Sequence, residues 1–375
     1  MVTLKGSAIE GSLAWPADRP IPPLDQPLPA GTTVVSSDGH WLEPERWVDK
    51  IPARFRDRAP MGMFLDGGGF TFSVDGQKID NPAFPSRMIE GVRGMWDADQ
   101  RIKDYDAEGL DKELLFPQKA FGVIRVDDKE FVAACFAAYN ELLADFCRPY
   151  PDRLYGVALV NYWDADAAKD SLAQIEELGM KAMAIPSLPR GVYYNSRAME
   201  PFWDVLEESG IPLSFHVGEF ADARGLGGLA TTIMQAFGGF RRLWSLLTFS
   251  GILERHPKLR VVFTEGGISW VPSALFDADR TYLSFESEMR PKLAHPPSYY
   301  WYQNCYATFM EDPPGIEQLH RIGWDRVMWS GDYGHPESTI GYTAAAVREL
   351  FAQVGDDEKA KAIVGGTAID LWHLR

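Results

Sequence analysis

The stretch Thr33-Val34-Val35-Ser36-Ser37-Asp38-Gly39-His40-Trp41 decides the fold. It opens as a short apolar run of strand length, and what ends that run separates two α/β architectures. An open doubly wound sheet carries a glycine-rich phosphate turn after its first strand, and Asp38-Gly39-His40 is not one. Working outward, strand signals recur near 33–37, 113–117, 154–160, 181–185, 211–216, 259–264, 303–309 and 326–331. Helical patterns follow them near 98–109, 129–148, 164–178, 198–209, 227–254, 270–288, 314–322 and 339–353. Asp164 stands where a helix needs an N-cap, and Gly179 and Gly210 stand just past helix ends. Eight strands, each with a helix behind it, predict a parallel (β/α)8 barrel.

Two regions depart from that rhythm. Residues 1–31 are rich in proline and show no period, so they read as an extended arm that precedes the barrel at 32–375. Residues 42–97 interrupt the step from the first strand to its helix. They contain Asp66-Gly67-Gly68-Gly69, the alternating Phe70-Thr71-Phe72-Ser73-Val74, and Asp75-Gly76, which predict an inserted β-hairpin placed as a lid over the barrel.

Composition narrows the function. With 37 basic and 53 acidic residues the formal charge is −16, which argues against nucleic acid or an anionic membrane as partner. Three cysteines, Cys135, Cys147 and Cys305, form neither a CxxC pair nor a disulfide framework, so a reducing cytoplasm is expected. No apolar run approaches ~20 residues and no signal-peptide pattern opens the chain. The expected partner is a small molecule.

Metal-ligand side chains gather where strands end. Asp38 and His40 close the first strand at i, i+2 spacing, which puts them on one face. His216 ends Pro212-Leu213-Ser214-Phe215, Glu265 ends Val261-Val262-Phe263-Thr264, and Asp332 and His335 follow Arg326-Val327-Met328-Trp329. Taken singly each has an ordinary explanation: a turn aspartate, a hydrogen-bonded core histidine, a helix cap. Three of seven histidines at strand ends is a pattern that chance rarely gives. Neutral imidazoles and ionised carboxylates are what a divalent cation such as zinc or manganese takes. His256, His295, His320 and His373 fall in turns, loops or terminal helices and receive no role. Glu219 and Glu311 are weaker donors. Trp41, Phe116, Phe121, Trp163, Phe220, Trp270 and Phe309 cluster near the tips, mostly as packing, with a few able to line an apolar cavity. Arg87, Arg93 or Lys119 could supply a cation for a substrate carboxylate, with solvation at the surface the ordinary fate of each.

At these residues the chain resembles the amidohydrolase-related family, in the branch of the aminocarboxymuconate-semialdehyde and resorcylate decarboxylases. The resemblance is carried by Ser36-Ser37-Asp38-Gly39-His40 with Glu43-Pro44, by the helix Arg101 to Gly109, by Ala138-Tyr139-Asn140, and by Pro151-Asp152-Arg153-Leu154. Glu265-Gly266-Gly267-Ile268-Ser269-Trp270-Val271-Pro272 and Gly331-Asp332-Tyr333-Gly334-His335-Pro336 complete it. It implies a metal held by Asp38, His40, His216 and Asp332, and a homodimer or a heterodimer with a paralogue. Two departures matter: the first ligand is Asp38, an allowed variant among relatives, and where the decarboxylases carry an acid-base histidine, this chain has Glu265.

The reading is a metal-dependent enzyme that hydrolyses or decarboxylates a small carboxylated or aromatic compound, with Asp332, Glu265 and His335 moving protons. Six candidate donors exceed what one catalytic ion takes, so an alternative is a dinuclear Fe/Mn oxygen-dependent hydroxylase with Glu265 and His335 as ligands. A further alternative is a non-catalytic subunit that bears metal and partners an active paralogue.

Overall fold

Strand β1 (Val35–Trp41) is buried along its whole length, as a strand in a sheet covered on both faces must be. In the computed structural model it begins an eight-stranded parallel sheet with β5 (Lys112–Pro117), β6 (Leu154–Leu159), β7 (Ala182–Ala184), β8 (Leu213–His216), β9 (Val261–Thr264), β10 (Cys305–Phe309) and β11 (Val327–Trp329), in that spatial order. The structure describes residues 27–43, 47–65, 69–79, 92–187, 189–217, 225–335 and 337–375. β1 meets the loop that follows β11 through a parallel bridge between Gly39 and Tyr333. The sheet is therefore a nearly closed barrel, with helices outside it.

Each strand is short because it needs only to cross the barrel wall. The inward and outward faces are filled by Val35, Leu114, Leu115, Val157, Leu159, Met183, Phe215, Val262, Phe263, Ala307 and Met328, all fully buried. Helices begin where side chains cap them: Asp97 accepts from Gln100 N–H, Asp128 from Phe131 N–H and Asp164 from Ala167 N–H. The 164–178 helix ends on Gly179, whose φ of 69° a side chain would resist.

The sequence expectation of one helix over 227–254 is corrected. The segment is three helices, Gly228–Gly238, Phe240–Phe249 and Ile252–Arg255, broken at Gly239 and Gly251. The pattern near 314–322 likewise divides into Pro313–Ile316 and Leu319–Ile322. Helices at Pro297–Asn304 and across Asp357–Trp372 carry no signal picked up from the sequence.

Within 42–97, three strands form a separate antiparallel sheet: β2 (Met61–Leu65), β3 (Gly69–Val74) and β4 (Gln77–Ile79). Residues 44–46, 66–68 and 80–91 of this segment, and residues 1–26 of the expected arm, lie outside the described residues. No described helix is long and apolar enough to cross a membrane.

Candidate metal centre

In a (β/α)8 barrel the working residues come from the C-terminal ends of strands, and the donors gather there. Asp38 and His40 lie on β1, His216 is the last residue of β8, Glu265 follows β9, and Asp332 and His335 sit in the loop after β11. Asp38 and Asp332 have no exposed surface, and His40, His216 and Glu265 are buried.

Local backbone irregularities aim these side chains. The pairing of β1 with β5 slips between Ser36 and Gly39, a bulge that turns the strand tip. Gly39 is required there, because a Cβ would sit 2.2 Å from the Glu113 carboxylate. Asp332 N–H donates to Asp38 O at 2.9 Å and His40 N–H donates to Tyr333 O at 3.0 Å, which lace the tip of β1 to the loop after β11. Ser36 Oγ accepts from Gly331 N–H at 2.9 Å in the same seam.

Glu265 and Asp332 hold φ of 73° and 52°, the left-handed region that costs a residue with a side chain roughly 1–3 kcal/mol. The conformation is imposed from outside. Glu265 N–H donates to Thr308 Oγ1 at 2.9 Å, and Asp312 accepts from Ile268 and Ser269 N–H at 2.7 and 2.8 Å to pin the turn that follows.

Each imidazole has one nitrogen tied to a neutral acceptor. His40 Nδ1 lies 3.2 Å from Pro117 O, His216 Nδ1 2.9 Å from Val217 O, and His335 Nε2 3.1 Å from Gln118 Oε1. A carbonyl oxygen only accepts, so in the neutral ring that nitrogen carries the proton and the other offers a lone pair. The other nitrogens all face carboxylates. His40 Nε2 is 3.4 Å from Asp332 Oδ1 and 3.9 Å from Asp38 Oδ1. His216 Nε2 is 3.3 Å from Asp38 Oδ1, and His335 Nδ1 is 3.0 Å from Glu265 Oε1 and 3.1 Å from Asp332 Oδ2. The His40 ring stacks on His335 at 3.8 Å, while Phe116 and Phe121 stand against His216 at 4.8 and 5.4 Å.

The donor set fits a cation. Asp38 Oδ2, His40 Nε2 and Asp332 Oδ1 are buried without a hydrogen-bond partner, an expensive condition unless something else binds them. Protons take that role in part. Burial holds the Asp38 carboxyl above the usual carboxylate range and Asp332 well above it. Burial opposes charge on His216, yet Asp38 and Glu265 lift it to about 9. His335 is raised well above an ordinary histidine against the same burial, chiefly by Asp332. Burial and the charges of His335 and His216 hold His40 far below the usual value, so it stays neutral. Two overlapping sets place one donor atom per residue within 4.8 Å of each other: Asp38, His40, His216 and Glu265, and His40, Glu265, Asp332 and His335.

Other sequence candidates have different places. Glu311 is exposed and meets Tyr342 Oη at 3.4 Å. Arg93 pairs with Asp97 at 2.8 Å, and Lys119 Nζ donates to Glu43 O at 2.7 Å. Trp41 packs on Tyr139 and Phe146, and Trp270 on Phe263. Arg87, Glu219 and Phe220 lie outside the described residues. Sequence reading passed over Gln118, although it directly follows the end of β5. It took Arg101 only as part of a family motif and missed its pairing with Glu113, fully buried with N···O at 2.5 Å beside β1.

A parallel barrel with imidazoles and carboxylates converging at its strand ends defines the class of metal-dependent (β/α)8 enzymes. The amidohydrolase family model matches residues 37–374, and the chain belongs to that family. It is 25% identical over 303 residues to a gamma-resorcylate decarboxylase of Rhodococcus jostii (strain RHA1), covering 74% of this chain and 87% of that one. The 5-carboxyvanillate decarboxylase of Sphingomonas paucimobilis superposes with a TM-score of 0.72 at 20% identity, covering 92% of this chain and all of that one. A 5-carboxyvanillate decarboxylase of Novosphingobium aromaticivorans, solved with manganese and 4-hydroxy-3-methoxy-5-nitrobenzoic acid, gives 0.71 at 22% identity over 92% and 97% of the two chains.

Proposed function

We propose that the chain is a divalent-metal-dependent carboxy-lyase for a small hydroxylated aromatic carboxylate, with hydrolysis of a related compound as the neighbouring possibility. The observation that carries the reading is the orientation of the three imidazoles. Each is anchored on a neutral acceptor and turns its other nitrogen into a buried pocket of carboxylates. Asp38, His40, His216 and Asp332 would hold the ion. A bound divalent cation supplies a Lewis acid that orients and polarises substrate oxygens.

The chain's own residues do the rest. Phe116 and Phe121 present ring faces beside His216, an apolar wall suited to an aromatic substrate. Loss of carbon dioxide leaves an electron pair on the ring carbon, and a proton must be delivered there. Glu265 and His335, joined Oε1 to Nδ1 at 3.0 Å, can hold that proton and pass it on. They stand in for the acid-base histidine that the resemblance led one to expect. The relatives are carboxy-lyases, which tips the reading away from the oxygen-dependent hydroxylase.

The test is carbon dioxide release by manganese-loaded protein from 2,6-dihydroxybenzoate, 5-carboxyvanillate and a panel of other hydroxybenzoates. Turnover of at least one, lost on chelation and restored by manganese, is expected. Absence of both decarboxylation and hydrolysis across the panel with metal bound would overturn the proposal. We further propose that the 42–97 segment selects the substrate and that the protein works as a dimer.

A further inference from the structure

We propose that the chain carries a separate cation site away from the barrel mouth, built on His256, Asp204 and Glu207, which takes a divalent ion of the class of zinc. His256 precedes β9, whereas Glu265 follows it, so the site and the mouth lie at opposite ends of that strand. The backbone at His256 is fixed. Its N–H donates to Ile252 O at 3.0 Å, and its carbonyl accepts from Asn304 Nδ2 at 3.2 Å and from Leu259 N–H at 3.1 Å. His256 is 2% exposed, yet neither ring nitrogen makes a hydrogen bond. A buried imidazole in that state is costly unless something binds it.

What surrounds the ring is acidic. Glu200, Asp204 and Glu207 fall at i, i+4 and i+7 of the helix Glu200–Ser209 and line one face of it. Glu200 Oε1 lies 3.3 Å from Nε2, while Asp204 Oδ1 and Glu207 Oε2 each lie 3.7 Å from Nδ1. The two sides of the ring are not equivalent. Glu200 is engaged by Arg255, through Nε and through Nη2 at 2.9 Å, so its charge is matched within the chain. It stands where it can take the ring proton on Nε2, as a carboxylate does behind a metal-bound histidine, and this leaves Nδ1 its lone pair. Among the described residues neither Asp204 nor Glu207 has a lysine or arginine partner. Glu207 Oε1 accepts from Lys258 N–H at 2.7 Å, which holds that carboxylate and leaves Oε2 to the ring.

The donors suit such an ion in kind, charge and spacing. One imidazole nitrogen and two carboxylate oxygens make a three-ligand set that leaves a position to water. The two carboxylates, at −1 each, are balanced by one divalent ion. Zinc bonds of roughly 2.0–2.2 Å at a tetrahedral centre set donors roughly 3.4 Å apart, so the contacts to Nδ1 need to shorten only slightly. The Asp204 side chain is 59% exposed and free to turn inward beside Glu207. The ion ties the helix that leads into β8, which ends in His216, to the helix Ile252–Arg255 that leads into β9.

Zinc titrated into metal-free full-length protein by equilibrium dialysis, with elemental analysis at each concentration, tests the site against Asp204→Asn and His256→Gln. The barrel mouth contributes equally to all three proteins, so the difference between them counts this site alone. At the zinc concentration that saturates the wild-type protein, each variant should hold one zinc per chain fewer. Asp204 is exposed, so Asp204→Asn keeps the test decisive where His256→Gln fails to fold; circular dichroism and the metal-free melting temperature show which variants are folded. Anomalous diffraction at the zinc edge should place the additional ion within bonding distance of His256 Nδ1, Asp204 and Glu207. Equal zinc content in the wild-type protein and folded Asp204→Asn overturns the proposal. So does zinc density at the mouth with none beside His256.

Discussion

Two groups of buried charges lie on either side of β1, and they are built on opposite terms. On the flank, Arg101 and Glu113 are both fully buried, and Arg101 Nε and Nη2 reach Glu113 Oε2 at 3.1 and 2.5 Å. Tyr105 Oη joins the same oxygen, Arg101 Nη1 donates to His40 O at 2.8 Å, and Tyr333 Oη donates to Asp104. At the mouth, the carboxylates of Asp38, Glu265 and Asp332 meet His40, His216 and His335, and Asp38 Oδ2, His40 Nε2 and Asp332 Oδ1 have no hydrogen-bond partner, against the single oxygen Glu113 Oε1 on the flank. The flank carries its own countercharge in the chain. The mouth leaves that place to something that comes from solution. The contrast separates a structural ion pair from a binding site, although both bury ionisable groups equally well.

The comparison can be broken most forcefully at Arg101. Arg101→Leu leaves Glu113 buried without its partner and removes the donor to His40 O, so it should cost ~3–5 kcal/mol in denaturant unfolding. A loss under about 1 kcal/mol would mean that the flank is not held by this pair.

A smaller effect follows from Glu113, whose carboxyl burial pushes up to about 7 in spite of Arg101. The folded value is above the ordinary 4.5, so folding favours the protonated form. That contribution is complete below about 4.5 and is lost as pH rises through about 7. Relative to Glu113→Gln, the wild-type protein should therefore lose stability across that window, by on the order of 3 kcal/mol. A constant difference between the two proteins would contradict it.

The smallest stability effect should come from the mouth. Asp332→Asn removes one of three crowded carboxylates, and asparagine tolerates the left-handed backbone at this position. Metal-free, the variant should match the wild-type melting temperature or exceed it, while its metal affinity falls sharply. A destabilisation like that of Arg101→Leu would erase the distinction between the two regions.

Much of this arrangement was legible before any coordinates. The barrel strands announce themselves as short apolar runs closed by glycine or proline turns, and Asp38, His40, His216, Glu265, Asp332 and His335 stand at their ends. What brings them together is less visible. The bulge at Ser36–Gly39 and the Gly39–Tyr333 bridge are properties of backbone pairing, which side-chain patterns do not encode. The positive φ of Glu265 and Asp332 is imposed by Thr308 and by Asp38 O, partners distant in sequence. Gln118 carries no special signal in its own neighbourhood, because its use depends on a histidine more than two hundred residues away. The helices in 227–254 read as one because their apolar pattern continues across Gly239 and Gly251.

The central claim is that the carboxylates and imidazoles at the barrel mouth are a cation site and not a set of mutual ion pairs. Anomalous diffraction from crystals grown with manganese, recorded above and below its absorption edge, addresses it directly. The account expects anomalous density within coordinating distance of Asp38, His40, His216 and Asp332, with His40 Nδ1 and His216 Nδ1 still on Pro117 O and Val217 O. Saturating manganese with no density there, and the histidines still paired to the carboxylates, would contradict it.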